Sequence, residues 1–235
     1  MDSKKVCVIT GGANGIGKTI AEEFRKNDVK CYIIDIAEGD HFVGDISNKE
    51  TLEQFARYVI EEEGKVDFLI NNAPPLMKGI DECSYEEFNY ALSVGVTAAF
   101  YLSKLFLPYF SEDACIINIS SSRDRMSQPQ TESYSASKGA ISALTHALAV
   151  SLAHKVRVNS ISPGWINTSS EFTGDEFDHL QHPVGRIGKP VDIAKLVVFL
   201  CSEDASFITG ENICVDGGMT KQMIYHNDYN WFLKK

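Results

Sequence analysis

The chain has 235 residues, 44% of them apolar, and a formal net charge of −10. That allows one substantial core and argues against nucleic acid or an anionic membrane as a partner, because no basic cluster offsets the general repulsion. No Pro/Gly/Ser-rich linker divides it, so residues 1–218 are expected to form a single domain and 219–235 a C-terminal aromatic tail. The apolar run at 6–9 is too short for a signal-peptide core or a membrane span, so the expected location is cytoplasmic.

Short β-branched runs alternate with longer helical patterns, the signature of an α/β protein with a doubly wound parallel sheet and helices on both faces. Strands are predicted at 5–10, 30–35, 41–43, 67–71, 115–120, 156–161 and 212–215. Ile16, Ile20, Ala21 and Phe24 form the apolar face of a first helix, and Leu52, Phe55, Ala56 and Val59 that of a second. Ser47 with Glu50 and Ser84 with Glu87 read as capping boxes that start helices. Only residues 36–40 separate the second and third strands, whereas a parallel crossover needs about a dozen. The helix between strands 2 and 3 is therefore expected to be missing, the third strand being either a short edge strand or displaced in register. The six cysteines, with no C-x-x-C pair, read as small buried hydrophobes. The six histidines lack metal-ligand spacing, His179 and His182 read as loop residues, and no metal is expected.

Thr10-Gly11-Gly12-Ala13-Asn14-Gly15-Ile16-Gly17 follows the first strand and opens the first helix. Glycines at 11, 15 and 17 let the backbone turn tightly and approach a pyrophosphate, which the helix N-terminus attracts through its free N–H groups. Asp35, with Ile36 beside it, ends the next strand, where a carboxylate can accept hydrogen bonds from ribose hydroxyls. A 2′-phosphate there would meet a like charge, and no Arg or Lys occurs at 13, 14, 36 or 37, so the expected cofactor is NAD. Asp45 and Ile46 are expected at the adenine, with a loop acid preceding the Ser47 cap as the alternative reading of Asp45.

Tyr134 and Lys138 stand at i and i+4 in a helical stretch, with Ser121 upstream. The spacing puts ammonium and phenol on one helix face. A free phenol titrates near 10, and making it a base near neutral pH requires roughly 4 kcal/mol. One lysine charge in a partly dry cleft, helped by a cationic nicotinamide, is of that size.

These motifs, together with Asn71-Asn72-Ala73, Asn118-Ile119-Ser120-Ser121, Tyr134-Ser135-Ala136-Ser137-Lys138, Asn159 with Pro163-Gly164, and Asp216-Gly217-Gly218, resemble the compact single-domain branch of the short-chain dehydrogenases/reductases over about residues 5–220. The resemblance implies a seven-stranded Rossmann-like sheet and interconversion of an alcohol and a carbonyl. It implies that Tyr134 is the acid/base, that Lys138 binds the nicotinamide ribose and lowers the Tyr134 pKa, and that Ser121 holds the substrate oxygen. Asn72 and Ala73 would line the adenine-ribose channel. Pro163, Gly164, Ile166 and Thr168 would contact the cofactor, Ile166 and Thr168 at its carboxamide and pyrophosphate. A homodimer or homotetramer is implied as well. Two departures stand out. Gly95 occupies the place where the family usually has an Asn thought to hold a proton-relay water, and Pro74 replaces a glycine. A glycine there would loosen the helix and leave a backbone carbonyl and room for water.

The loop after Ser121 is polar, which favours a small polar or anionic substrate. Arg123 or Arg125 could clamp a carboxylate; a salt bridge with Asp124 on a solvated loop is the alternative. Trp165 is a further candidate substrate contact, at the start of a lid-like segment, 165–184. Tyr225, Tyr229, Trp231 and Phe232 in the tail would cap their own fold or reach a partner subunit. An NAD-binding sensor or scaffold with weakened catalysis is the competing reading, motivated by Gly95. A dehydratase or epimerase would normally bring a longer C-terminal substrate domain.

Overall fold

Successive residues of a strand face opposite sides of a sheet, and here each side is buried in its own layer. In a computed structural model, which describes residues 4–169, 171–225 and 228, the strands are β1 (Val6–Thr10), β2 (Lys30–Asp35), β3 (Phe42–Val43), β4 (Val66–Asn71), β5 (Phe110–Ile119), β6 (Val156–Pro163) and β7 (Asn212–Val215). They form one all-parallel sheet in the order β3-β2-β1-β4-β5-β6-β7. Val8, Leu69, Ile116 and Val158 pack with Phe55, Leu102 and Phe106 in one layer. Ile9, Ile70, Ile117 and Ile161 pack with Ile20, Phe24, Val197 and Leu200 in the other.

The helices are α1 (Gly15–Lys26), α2 (Lys49–Glu63), α3 (Tyr85–Leu92), α4 (Ala98–Phe106), α5 (Glu132–Ser151), α6 (Glu176–Leu180) and α7 (Pro190–Leu200). The predicted apolar faces of the first two are inside: Ile20, Ala21 and Phe24 of α1 and all four named residues of α2 are buried, while Ile16 sits half-buried at the cleft. No helix intervenes between β2 and β3, and β3 is a two-residue edge strand. The Ser84–Glu87 capping box is present. The Ser47–Glu50 box is not: α2 is capped one residue later by Asn48, whose side chain accepts from Thr51 N at 3.0 Å, while Ser47 N donates to the Asp45 carboxylate at 2.8 Å. β5 also starts five residues before its predicted first residue, because Phe110 pairs with Val66 across a register shift that the polar residues 111–113 conceal.

The order of pairing fixes where a ligand can enter. The chain moves outward from β1 to β3 and returns to β4 on the other flank of β1, so the loops leaving β1 and β4 diverge at the carboxyl edge and open a crevice. Among the described residues no helix is long and apolar enough to cross a membrane. In the tail, Tyr225 is exposed; Tyr229, Trp231 and Phe232 lie outside the described residues.

Between α3 and α4 the helix widens into a π-helical turn, Ser93–Thr97, centred on Gly95. A Cβ on Gly95 would lie 2.8 Å from Ser137 Cβ and 3.1 Å from Pro75 Cβ, so α5 and the Pro74-Pro75 loop already fill the space an asparagine would need. Asparagine gains a few tenths of a kcal/mol over glycine in helix propensity, but overpacking typically costs about 1–3 kcal/mol. Gly95→Asn is therefore expected to lower the unfolding free energy by about 1–3 kcal/mol in denaturant melts; equal or higher stability would show that the loop yields.

Candidate active site

The crevice is built from a stitch between β1 and β4. Thr10 Oγ1 accepts from Asn72 N (3.0 Å) and Ala73 N (3.2 Å), and Asn72 Nδ2 donates back to the carbonyls of Gly11 (2.7 Å) and Thr10 (3.2 Å). This brings the glycine turn so close to the β4 loop that a Cβ on Gly11, whose φ is +67°, would lie 2.6 Å from Ala73 Cα. On Gly17 it would lie 2.2 Å from the Gly11 carbonyl oxygen. The α1 terminus above the turn has no side-chain cap and no acidic residue in its first turn, so its N–H groups remain available for an anion. At the end of β2 the two oxygens of Asp35 accept from Ala13 N (2.9 Å) and Ala37 N (3.0 Å), which holds the carboxylate at the rim.

The resulting cleft has a volume of about 560 Å³. It brings together Gly11, Asn14, Gly15, Ile16, Asp35, Ile36, Asp45, Ile46, Asn72, Ala73, Ser121, Tyr134, Lys138, Pro163, Gly164, Ile166 and Thr168. Gly17, the remaining predicted contact, lies buried behind the turn. The Thr168 methyl would be 3.1 Å from a Cβ on Gly15, so the segment after β6 closes over the glycine turn. An uncapped helix start, a turn with no room for side chains and a rim carboxylate fit a pyrophosphate and a ribose diol. Asp45 also makes the local turn of its alternative reading, through Ser47 N, while its other oxygen lies 3.3 Å from the Tyr90 hydroxyl. Tyr90 and Val94 line the same cleft, and sequence reasoning missed both. Nothing local distinguishes them from ordinary amphipathic residues, and only the docking of α3 across the sheet edge reveals them.

At the inner end of the cleft stand Ser121, Tyr134 and Lys138. Ser121 opens a 3₁₀ turn, Ser122–Asp124, where its Oγ accepts from Arg123 N at 3.2 Å and its hydroxyl hydrogen stays free to donate. Lys138 is buried, its Nζ donates to the Ile119 carbonyl at 2.7 Å, and it lies 5.4 Å from the Tyr134 ring centre. Burial alone pushes the Lys138 ammonium down to about 8. The Tyr134 phenol is pushed up by burial, against smaller downward pulls from the Ser121 hydroxyl and the Arg123 charge. The expected depression of Tyr134 by Lys138 is thus not supplied by the protein alone, since both groups are desolvated and the ammonium bonds a carbonyl.

A second, one-water-sized cavity of about 10 Å³ lies behind this trio, bounded by Lys138, Asn71, Gly95 and Ile141. Asn71 Nδ2 donates to Asn118 Oδ1 at 2.8 Å, and Asn118 Nδ2 to Thr145 Oγ1 at 2.9 Å. Asn71 Oδ1 is buried without a protein partner.

The loop after Ser121 is anchored by Asp124, whose side chain is 4% exposed. Its Oδ2 accepts from Ser142 Oγ (3.1 Å), Ser162 Oγ (3.0 Å) and Asn212 Nδ2. Burial raises its pKa, but the bonds from Arg125, Ser162 and Asn212 outweigh that and hold it below the ordinary carboxylate range. Arg125 grips Asp124 with Nε (2.9 Å) and Nη2 (3.1 Å), so the salt-bridge reading holds for this arginine, and neither it nor Arg123 is among the residues that line the cleft. Trp165 does not line the dinucleotide cleft; it stacks on Phe172 at 5.7 Å and lies 6.3 Å from the His182 ring. His182 is no ordinary loop residue, being 2% exposed, with Nδ1 3.1 Å from the Asp178 carbonyl and Nε2 buried without a partner.

A family model described as enoyl-(acyl carrier protein) reductase matches residues 11–220. A Thermotoga maritima uncharacterized oxidoreductase is 42% identical, the match covering 94% of this chain and 98% of its own. Among solved structures, an apo SCOR enzyme from Clostridium thermocellum is 44% identical, with a TM-score of 0.92 and coverage of 100% of both chains. The 3-ketoacyl-(acyl-carrier-protein) reductase of Brucella melitensis complexed with NADH is 32% identical, with a TM-score of 0.82 over 92% of this chain and 98% of that one. On the fold, the cleft and these likenesses, the chain belongs to the short-chain dehydrogenase/reductase family of oxidoreductases.

Proposed function

We propose that this oxidoreductase uses NAD(H) to interconvert a secondary alcohol and a carbonyl on a small, polar substrate, with Tyr134 as acid/base. The observation that carries the reading is the single cleft with Asp35 at its rim and Ser121, Tyr134 and Lys138 at its inner end. When bound, the nicotinamide accepts or supplies the hydride. Ser121, its oxygen already held by Arg123 N, donates its hydroxyl hydrogen to the substrate oxygen. In the oxidising direction Tyr134 Oη takes the hydroxyl proton, and in the reducing direction it returns one. Lys138, one of whose N–H groups is fixed on Ile119, keeps two for a ribose and for the small cavity behind it.

Asp35 supports NAD over NADP, because a 2′-phosphate beside a carboxylate with no compensating cation is repelled. The NADH of the Brucella reductase agrees with this choice. The polar loop after Ser121 supports a polar substrate.

Tyr134→Phe is expected to lower kcat by about 10²–10⁴-fold with NADH binding, followed by fluorescence, retained. Identical traces for wild type and Tyr134→Phe across a broad panel of secondary alcohols would instead favour a sensor. Asp35→Ala is expected to weaken NAD at least about tenfold while leaving NADP no weaker, in calorimetric titrations; a parallel loss of both would refute the selection. Lys138 titrates near 8 in the folded chain and near 10.4 unfolded. The unfolded chain therefore binds more protons between those values, and stability rises with pH across that window. Relative to Lys138→Met, wild type should gain up to about 3 kcal/mol there. Parallel pH slopes in denaturant melts would show that the buried ammonium is not destabilised.

A further inference from the structure

Buried donors and acceptors in proteins are nearly always paired, and a charged donor left unpaired is the most costly exception. Among the described residues three buried side-chain polar atoms face no protein partner: Asn71 Oδ1, Arg123 Nη1 and His182 Nε2. Only Arg123 carries a permanent charge, and it stands two residues after Ser121 with its backbone N–H on the Ser121 oxygen. Its Nη2 donates to the neutral Gln128 side chain, and among the described residues no carboxylate forms an ion pair with it.

Other arginines whose guanidinium groups bond within the protein are paired with carboxylates or with several carbonyls. Arg125 grips Asp124, Arg186 grips Asp192 with both Nη atoms, and Arg157 reaches the carbonyls of Ser202, Ala205 and Ile208. The chain carries ten more acidic than basic charges, so a counter-ion for Arg123 would have been easy to provide. The bond from its backbone N–H to Ser121 Oγ sets Arg123 next to the serine that lines the inner end of the cleft.

We propose that Arg123 binds a carboxylate of the substrate, making the substrate a short hydroxy acid and its product the corresponding keto acid. The inference rests on the oxidoreductase reading above and specifies its substrate class. In the oxidation, the carbinol C–H bond breaks and leaves as hydride to the nicotinamide. The hydroxyl proton passes to Tyr134 Oη, the C=O bond forms, and the carboxylate is unchanged. A guanidinium holding that carboxylate fixes which face of the carbinol is presented and disfavours neutral alcohols of the same shape, which would leave Nη1 unpaired.

The test compares short 2- and 3-hydroxy acids with their methyl esters as substrates for wild type, Arg123→Gln, Arg123→Lys and Arg125→Gln. In parallel, malonate is titrated into each protein–NADH complex and followed by NADH fluorescence. Wild type is expected to prefer acid over ester, and Arg123→Gln to reduce that kcat/KM ratio at least about tenfold while weakening malonate to a similar degree. Arg123→Lys should recover part of the ratio, and Arg125→Gln should keep it. An unchanged ratio in Arg123→Gln, or malonate that binds independently of Arg123 or shows no saturable binding, overturns the inference while leaving the oxidoreductase intact. If neither acids nor esters are turned over, the hydroxy-acid inference fails, while the Tyr134→Phe comparison across secondary alcohols decides the proposed function separately and the malonate titration still decides whether Arg123 binds a carboxylate.

Discussion

The close contact between the end of β1 and the start of the β4 loop is the constraint on which the site depends. Asn72 bonds two carbonyls of the glycine turn while Thr10 accepts two N–H groups in return, so the two loops are locked before either diverges. With that lock in place the first turn of α1 points its free N–H groups into the crevice, and the Ala13 and Ala37 amides can hold Asp35 at its rim. The glycines at 11 and 17 follow from the lock, since any side chain at either would strike backbone or the Asn72 amide.

The inner end of the crevice is where the interior is least satisfied. Lys138 is buried with one carbonyl for company, Tyr134 is desolvated, the unpartnered Asn71 Oδ1 belongs to a residue that lines the small cavity behind them, and Arg123, with an unpartnered Nη1, adjoins Ser121. Behind this end the side-chain amides close on each other, in the chain from Asn71 Nδ2 through Asn118 to Thr145. Such local disagreement with the rules of a stable interior is expected where ligand groups complete the bonding. The rigid frame around it, two apolar layers and the Asp124 anchor, keeps the unsatisfied groups from relaxing into one another.

Features governed by neighbours in sequence were legible without coordinates. The β-branched runs, the glycine turn, Asp35 at a strand end and the i, i+4 relation of Tyr134 to Lys138 depend on local geometry, and the structure brings these residues to one cleft. Competition between near-equivalent groups was harder to read. Asn48 displaced Ser47 as the α2 cap because Asp45 had already engaged Ser47 N. Arg123 and Arg125 look alike in sequence, yet one grips Asp124 and the other is left with an unpaired nitrogen, a difference set by where Asp124 is held by α5, β6 and β7. The place of Tyr90 in the cleft and the burial of His182 against Trp165 likewise arise from contacts between elements far apart in the chain.

The anchoring of Asp124 also has a consequence in time. Its bond from Asn212 joins residues 88 positions apart, so the loop that carries Ser121 and Arg123 meets its last anchor only when β7 has been synthesised. At the usual pace of translation that interval is roughly 4–18 s. A nascent chain can therefore have its glycine turn and most of its sheet while the loop after Ser121 still lacks its final tether. The wall of the cleft made by β1, β2 and β4 is synthesised early, and the loop after Ser121 is among the last parts to be fixed in place.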